Sequence, residues 1–296
     1  MSTVSKVGLL KTVGSNRMVR LGLGAAGGVA LIAVLSGVFP RGSGLAKLLL
    51  DFHAAGADTV FPYPLTIQNV MWVMLGIAVG EAIFLYRSAW RERAAIKLGL
   101  LPEKDSTILT RDNLPEVMEK SYIVMQKEKL FLPQLIHSAG MSFQTHASAE
   151  QAHDVMSSQV DLELHRADLR YTLLRYIAWL LPTLGFIGTV VGISAALSAI
   201  DVKAPADRPE SSLVSSAQPG EKAQVERSAK KSGGASQDVT ARLGLAFNTT
   251  ILALFLSIIV VLLSQFMHKR EEEIINAQSE YCLNNLIVRL YNPEKV

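Results

Sequence analysis

The chain has 296 residues, 49% of them hydrophobic and 19% charged, and its mean hydropathy is +0.27. This composition is too apolar for an ordinary soluble domain and indicates a membrane protein. The net charge of +3 forms no long basic run with interleaved aromatic residues, so no nucleic-acid partner is expected. Cys282 is the single cysteine, which excludes an intramolecular disulfide and a thiolate metal site within one chain.

Four stretches approach or exceed the roughly 20 apolar residues that a helix needs to cross a bilayer. They are 21–39, 65–86, 176–200 and 241–267. The first follows a basic leader and resembles a signal peptide, but its apolar run is long and lacks a convincing cleavage site, so an uncleaved span is preferred. The sequence therefore predicts an all-α membrane protein with four transmembrane helices, of which spans three and four extend into a helical cytoplasmic domain.

Basic residues cluster before span one and after span two, whereas few lie between these spans. By the positive-inside rule the N-terminus is then cytoplasmic. The tail at 1–20, a helical domain at 87–175 and a helical tail at 268–296 are expected inside. The loop at 40–64 and a Ser-, Pro- and Gly-rich flexible loop at 201–240 are expected outside.

Apolar positions continue beyond the membrane in two places. A pattern that begins near Ser148 can run without interruption into span three, and Ile275, Cys282, Leu286 and Leu290 form a stripe after span four. Helices that leave the bilayer with an apolar stripe need neighbours. We therefore expect these extensions to contact other subunits of an assembly.

The segment GLGAAG, at 22–27, has the glycine spacing of a dinucleotide-binding loop, but no strand precedes it and a lipid-length helix follows. Gly24 and Gly28 instead predict close helix packing. The histidines lack metal-ligand spacing and no serine lies in a nucleophile elbow, so no metal, cofactor or enzyme activity is predicted.

Glu81 is the one acid inside a predicted span. Ionisable residues within membranes are functional candidates by default. Because Glu81 lies within two turns of Arg87, near the cytoplasmic end, snorkelling or pairing with a basic neighbour is the preferred interpretation. Glu81 is therefore a secondary candidate.

Polar and small residues recur at one depth in spans three and four. Thr189 lies eleven residues from Ile200 and Thr250 ten from Thr240, which places both roughly 15 Å below the outer surface. A single threonine in a helix can donate its hydroxyl hydrogen to the carbonyl four residues back, so by itself it does not indicate a polar lining. With Asn248, Thr249 and the glycines at 185, 188 and 192, however, the pair predicts a narrow polar lining.

These same segments resemble a known family. GFIGTVVG, from Gly185 to Gly192 after Pro182, and AFNTTILAL, from Ala246 to Leu254, resemble motifs of the MotA/TolQ/ExbB proton-channel family. The resemblance covers spans three and four, the helical insert before them and the cytoplasmic tail. It implies a homopentamer around a dimer of a single-span MotB/TolR/ExbD-type partner that carries a protonatable aspartate. Pro182, Thr189 and Thr250 would line the proton route, with Gly185, Gly188 and Gly192 packing the helices.

The resemblance also implies a multi-pass protein of the bacterial inner membrane, surrounded by lipid, with periplasmic outer loops and H+ or Na+ as the transported ion. The branch stays open. Four spans resemble the flagellar stator subunit, whereas the Gly188-Thr189 pair resembles the TolQ/ExbB branch, whose last-span acid corresponds to Leu245 here. The machine driven, whether flagellum, gliding, outer-membrane transport, envelope maintenance or defence, is therefore not specified.

Spans three and four contain no Asp or Glu, so the proton carrier is expected on the partner. The sequence thus predicts the stator-like proton-channel subunit of an ion-driven motor. Two alternatives stay open: a self-contained ion channel or transporter that uses Glu81, and a passive helical membrane scaffold.

Overall fold

The computed structural model describes residues 17–39, 49–50, 65–103, 108–201 and 221–291. Seven α-helices lie in these ranges: α1 (Arg17–Val38), α2 (Ile67–Ala95), α3 (Leu114–Lys127), α4 (Phe131–His146), α5 (Ala149–Arg170), α6 (Thr172–Asp201) and α7 (Glu221–Asn285). Short 3-10 helices follow α2 and α7 at Ile96–Leu98 and Ile287–Arg289. In this part of the chain the only β-pairing is an isolated bridge between Leu109 and Leu290. The all-α fold class is confirmed.

Within the described ranges, α1, α2, α6 and α7 contain stretches long and apolar enough to cross a membrane, as the four-span prediction requires. Large apolar side chains on these helices are exposed in the single chain, among them Phe186 at 68% and Leu262 at 65%. Such surfaces are stable only against lipid or other protein.

The structure differs from the prediction at the start of the last long helix. α7 begins at Glu221, inside the segment 201–240 that was expected to be a flexible loop. The residues from 221 to 231 are mostly Glu, Lys, Ala, Gln and Arg, which have high helix propensity. The prediction of a flexible loop was wrong here because it considered the polarity of the segment and not its helix propensity. The predictions for 1–16, 40–48, 51–64, 104–107, 202–220 and 292–296 lie outside the described residues.

The chain divides into two compact units: the first comprises 1–80 and 176–260, the second 81–175 and 261–296. In the first unit α1 and α2 meet at glycines. A Cβ atom added to Gly76 would lie 2.5 Å from the Gly24 carbonyl oxygen and 2.5 Å from the Gly28 nitrogen, closer than real Cβ atoms approach. The Gly24 and Gly28 pair therefore packs closely, as predicted, and its contact surface on α2 is Gly76.

The second unit has its own apolar core. Leu132, Leu135 and Ile136 of α4 are fully buried, and α4 packs on both α3 and α5. The core also takes residues from both predicted extensions: Met156, Val160, Ile275, Cys282 and Leu286. The stripes expected to contact other subunits are thus largely buried within the chain, where they share one apolar core with residues of α3 and α4.

The helix predicted to run from Ser148 into span three is interrupted once. Ser148 caps α5 by accepting a hydrogen bond from the Gln151 N–H at 3.4 Å. At Tyr171 the chain forms a turn in which the Tyr171 N–H donates to the Asp168 carbonyl, and α6 starts at Thr172. The buried Tyr171 ring lies edge-on to His268, with 5.0 Å between ring centroids, so tertiary packing accompanies the break.

Candidate functional site

Three glycines on α6 allow α7 to come unusually close in the first unit. A Cβ atom added to Gly185 would lie 2.5 Å from the Ala253 Cβ, and one added to Gly192 would lie 2.6 Å from the Ala246 Cβ. At Gly188 the added atom would lie 2.9 Å from the Thr249 Oγ1. Side chains at these positions would force the helices apart, so the glycines set the spacing of the site.

Thr189 and Thr250 meet across this helix contact, and their hydroxyls are hydrogen-bonded to each other. The Thr189 hydroxyl also lies 3.0 Å from the Gly185 carbonyl oxygen and 3.2 Å from that of Ala246. The Thr250 hydroxyl donates to the Gly185 carbonyl at 3.1 Å. Two hydroxyl hydrogens thus share more acceptors than they can fill at once, so the pair can rearrange its hydrogen bonds without moving a helix.

The other two polar residues predicted for this lining are placed differently. Thr249 is buried against Gly188 and donates to the Ala246 carbonyl at 2.7 Å. Asn248 is half-buried, and because residues two apart do not share a helix face, it leaves α7 on a different side from Thr250. The structure therefore brings Thr189 and Thr250 together, puts Thr249 into the helix contact and separates Asn248 from the pair.

Pro182 lies inside α6 and has no N–H to donate to the carbonyl of Ala178, four residues earlier. The hydroxyl of Ser257, a buried residue of α7, donates to that carbonyl at 2.8 Å. The carbonyl left without a main-chain donor by proline is thus satisfied from the neighbouring helix. Ser257 was missed in the sequence, although it follows Thr250 by seven residues and so shares its helix face.

Glu81 is 6% exposed on α2. It belongs to the second unit, whereas Thr189 and Thr250 belong to the first. The secondary candidate is thus a buried membrane-helix acid that is not part of the unit containing the threonine pair.

Two buried amides at the start of α2 were also missed. Gln68 and Asn69 are 0% and 4% exposed, and the Asn69 N–H donates to the Thr66 Oγ1 at 3.3 Å. The Ile67 side chain between them and Thr66 reaches within 3.5 Å of where a Gly188 Cβ would lie. Amide side chains at the edge of an apolar stretch were the available signal.

Comparison with known proteins bears on the same region. Residues 126–215 match the model of the MotA/TolQ/ExbB proton channel family. The match includes α4, α5 and α6, with Pro182 and Thr189, and ends before α7, so Thr250 and Ser257 lie outside it. The search of curated proteins and the search of solved structures gave no match.

Proposed function

We propose that this chain, which carries a MotA/TolQ/ExbB proton channel family domain at 126–215, is the channel subunit of an ion-driven motor in the bacterial inner membrane. The family match and the four lipid-length helices support a multi-pass membrane channel protein. The observation that carries the finer proposal is the hydroxyl pair of Thr189 and Thr250 between two apolar helices.

The threonine pair fits a proton route by its chemistry. Hydroxyls accept and donate hydrogen bonds, so they can hold or orient a proton carrier between two largely apolar helices. They do not titrate near neutral pH, and no Asp or Glu lies in 176–200 or 241–267. The carrier is therefore proposed to be an aspartate on a single-span partner of MotB/TolR/ExbD type.

A partner acid near the bilayer midplane would resist ionisation and would carry its proton in neutral form. A membrane potential supplies about 2.3 kcal/mol per proton per 100 mV, which can drive repeated protonation and release. We propose that this cycle turns the partner dimer inside a ring of this subunit, with H+ as the transported ion. The exposed apolar faces of α6 and α7, which include Phe186 and Phe255, are available for ring contacts and lipid.

The test is a proton-flux assay on the subunit with its partner in proteoliposomes. Replacing both threonines, Thr189→Val and Thr250→Val, keeps side-chain size but removes the hydroxyls, and a lost hydrogen bond of about 1.4 kcal/mol corresponds to a roughly tenfold lower flux. Thr183→Val is the matched control, because the Thr183 hydroxyl donates to the Trp179 carbonyl of its own helix. Native mass spectrometry establishes that all variants form the same oligomer. Wild-type flux in the double variant would remove the assignment.

One observation favours a second candidate, a self-contained channel. Glu81 is a buried acid on a membrane helix, and a channel that works without a partner needs such a group. In that case Glu81→Gln would abolish flux by the subunit alone. A passive scaffold, by contrast, would tolerate both threonine replacements.

A further inference from the structure

The second unit contains a small cavity where α2, α4, α5 and α7 meet. Its polar lining comes from Ser88, Glu92, Glu163, Arg170, Glu271 and Gln278, and we refer to it as the acid cavity. The lining lies outside the apolar parts of the membrane helices, since Glu92 follows Arg87 and Arg91. Three carboxylates and one guanidinium share this space, so negative charge is in excess if every group is ionised.

Arg170 neutralises two of the three acids. Its Nη1 and Nη2 each lie 3.1 Å from the Glu163 Oε1, and its Nη2 donates to the Glu271 Oε1 at 2.5 Å. Glu163 and Glu271 are therefore the two acids that form ion pairs with Arg170.

Glu92 is held differently. Its carboxyl oxygens accept hydrogen bonds from the Phe131 N–H at 3.1 Å and the Gln278 Nε2 at 3.3 Å, and both of these donors are neutral. Burial raises the pKa of Glu92, and the nearby Glu163 carboxylate raises it further, against the lowering effects of these hydrogen bonds and of Arg170. Glu92 is thus a buried carboxyl of the acid cavity that is hydrogen-bonded only to neutral donors in the described part of the chain.

The cavity also has acceptor atoms in need of a donor. The Gln278 Oε1 is buried and receives no hydrogen bond from the described part of the chain. The Glu271 Oε2 is buried without a donor in standard hydrogen-bond geometry, although the Tyr171 side chain interacts with the Glu271 carboxylate. Glu271 is 9% exposed and Gln278 is 0% exposed, so bulk water does not satisfy them. Unsatisfied buried acceptors are unfavourable, and water or a protonated carboxyl group can supply the missing hydrogens. No group of three or more His, Cys, Asp or Glu side chains in the described ranges has an arrangement that could hold a metal ion.

We propose that the acid cavity is a proton-binding site, in which the Glu92 carboxylate takes up one proton and water connects it to the Glu271 Oε2 and the Gln278 Oε1. The step converts one hydronium ion and a carboxylate into water and a neutral carboxyl group, so it needs no other reactant. The charged and titratable groups around Glu92 are Glu163 and Arg170 on α5 and Glu271 on α7, with Tyr171 beside Glu271 and Arg170. The site deepens the proposed function and rests on it: Glu92 accepts protons that have crossed the membrane.

Infrared titration of the full chain in detergent tests the site without any partner. We expect a protonated carboxyl band that persists above pH 4.5, the ordinary glutamate pKa, and that loses one carboxyl equivalent in Glu92→Gln. Glu116→Gln is the matched control, because Glu116 is exposed and its hydrogen bond with Lys120 lowers its pKa, so the band should remain. An unchanged band in Glu92→Gln would overturn the proposal.

A second variant keeps the acid itself. Gln278→Leu removes the amide that donates to the Glu92 carboxyl, and since that bond lowers the pKa of Glu92, the titration midpoint should move to higher pH. An unshifted or lower midpoint would contradict the assignment, even if Glu92→Gln does not fold.

Measuring proton flux in the presence of the proposed partner distinguishes failure of the acid-cavity proposal from failure of the proposed motor function. If Glu92 accepts transported protons, Glu92→Gln should lower flux several-fold, whereas Glu116→Gln should not. If Glu92 titrates as expected in the wild type but Glu92→Gln keeps full proton flux, Glu92 has no role in transport. Absence of partner-dependent flux in the wild type would instead refute the proposed function, and the infrared titration would still decide whether the acid cavity binds a proton.

Discussion

Ser257 on α7 donates its hydroxyl hydrogen to the Ala178 carbonyl on α6, at 2.8 Å. This is the carbonyl that loses its main-chain donor because residue 182 is proline. Pro182 therefore removes a hydrogen-bond donor from the Ala178 carbonyl, and Ser257 on the neighbouring helix replaces it. A kink-forming residue is tolerated here since a second helix supplies the hydrogen bond that the first cannot make.

This relationship predicts a coupling between positions 182 and 257. Ser257→Ala should destabilise the chain by about 1–3 kcal/mol, because it leaves the half-buried Ala178 carbonyl without a donor inside a membrane helix. In Pro182→Ala the Ala178 carbonyl regains a main-chain N–H, so adding Ser257→Ala should then cost much less. A double-mutant cycle, measured by thermal unfolding in detergent, should give an interaction energy of at least about 0.5 kcal/mol. Strict additivity would mean that the serine does not serve the proline-freed carbonyl.

Much of the membrane architecture was predictable because it depends on local properties. Length and hydropathy are enough to identify four lipid-length helices, and small residues at three- and four-residue spacing identified the faces at Gly24 and Gly185. The depth count also put Thr189 and Thr250 at one level, and the structure brings these two together. These features follow from the regular geometry of a helix, so residue spacing within one segment is enough to predict them.

Contacts between distant segments were not predictable in the same way. The apolar stripes at Met156 and Ile275 were expected to face other subunits, but both are buried in one core with residues of α3 and α4. The local sequence of a stripe does not indicate which distant residues will pack against it. A seven-residue spacing along α7 did offer an unused signal. Thr250 is followed by Ser257, Ser264, Glu271 and Gln278, and the structure buries all four of these later residues.

The contact between α1 and α2 gives a prediction about packing. Gly76→Ala places a methyl group 2.5 Å from backbone atoms of α1, which cannot move aside as a flexible side chain can, so we expect destabilisation of about 1–3 kcal/mol. Gly27→Ala is the control, since no atom beyond the local backbone of its own helix lies within 4 Å of the added Cβ, and alanine favours the helix. Thermal unfolding of both variants in the same detergent measures the difference. Equal stabilities would contradict the close contact.

The environment of Glu92 predicts a pH dependence with a defined sign. Its pKa is raised in the folded chain, so between pH 4.5 and the folded pKa the unfolded chain loses this proton first. Stability contributed by the neutral carboxyl is therefore complete below pH 4.5 and is lost as pH rises through the folded pKa. The melting temperature of the wild type relative to Glu92→Gln should fall across this window. If the wild type instead gains stability relative to Glu92→Gln as the pH rises, the pKa of Glu92 is lowered in the folded chain and the prediction is wrong.

The most direct test of the two-subunit proposal is proton flux in proteoliposomes that contain this chain alone, the chain with the proposed single-span partner, or the chain with that partner after its membrane aspartate is changed to asparagine. Because 176–200 and 241–267 contain no acid, the account predicts low flux from the chain alone, and strong flux with the intact partner that is lost with the asparagine variant. Strong flux from this chain alone, abolished by Glu81→Gln, would contradict the account and establish a self-contained channel.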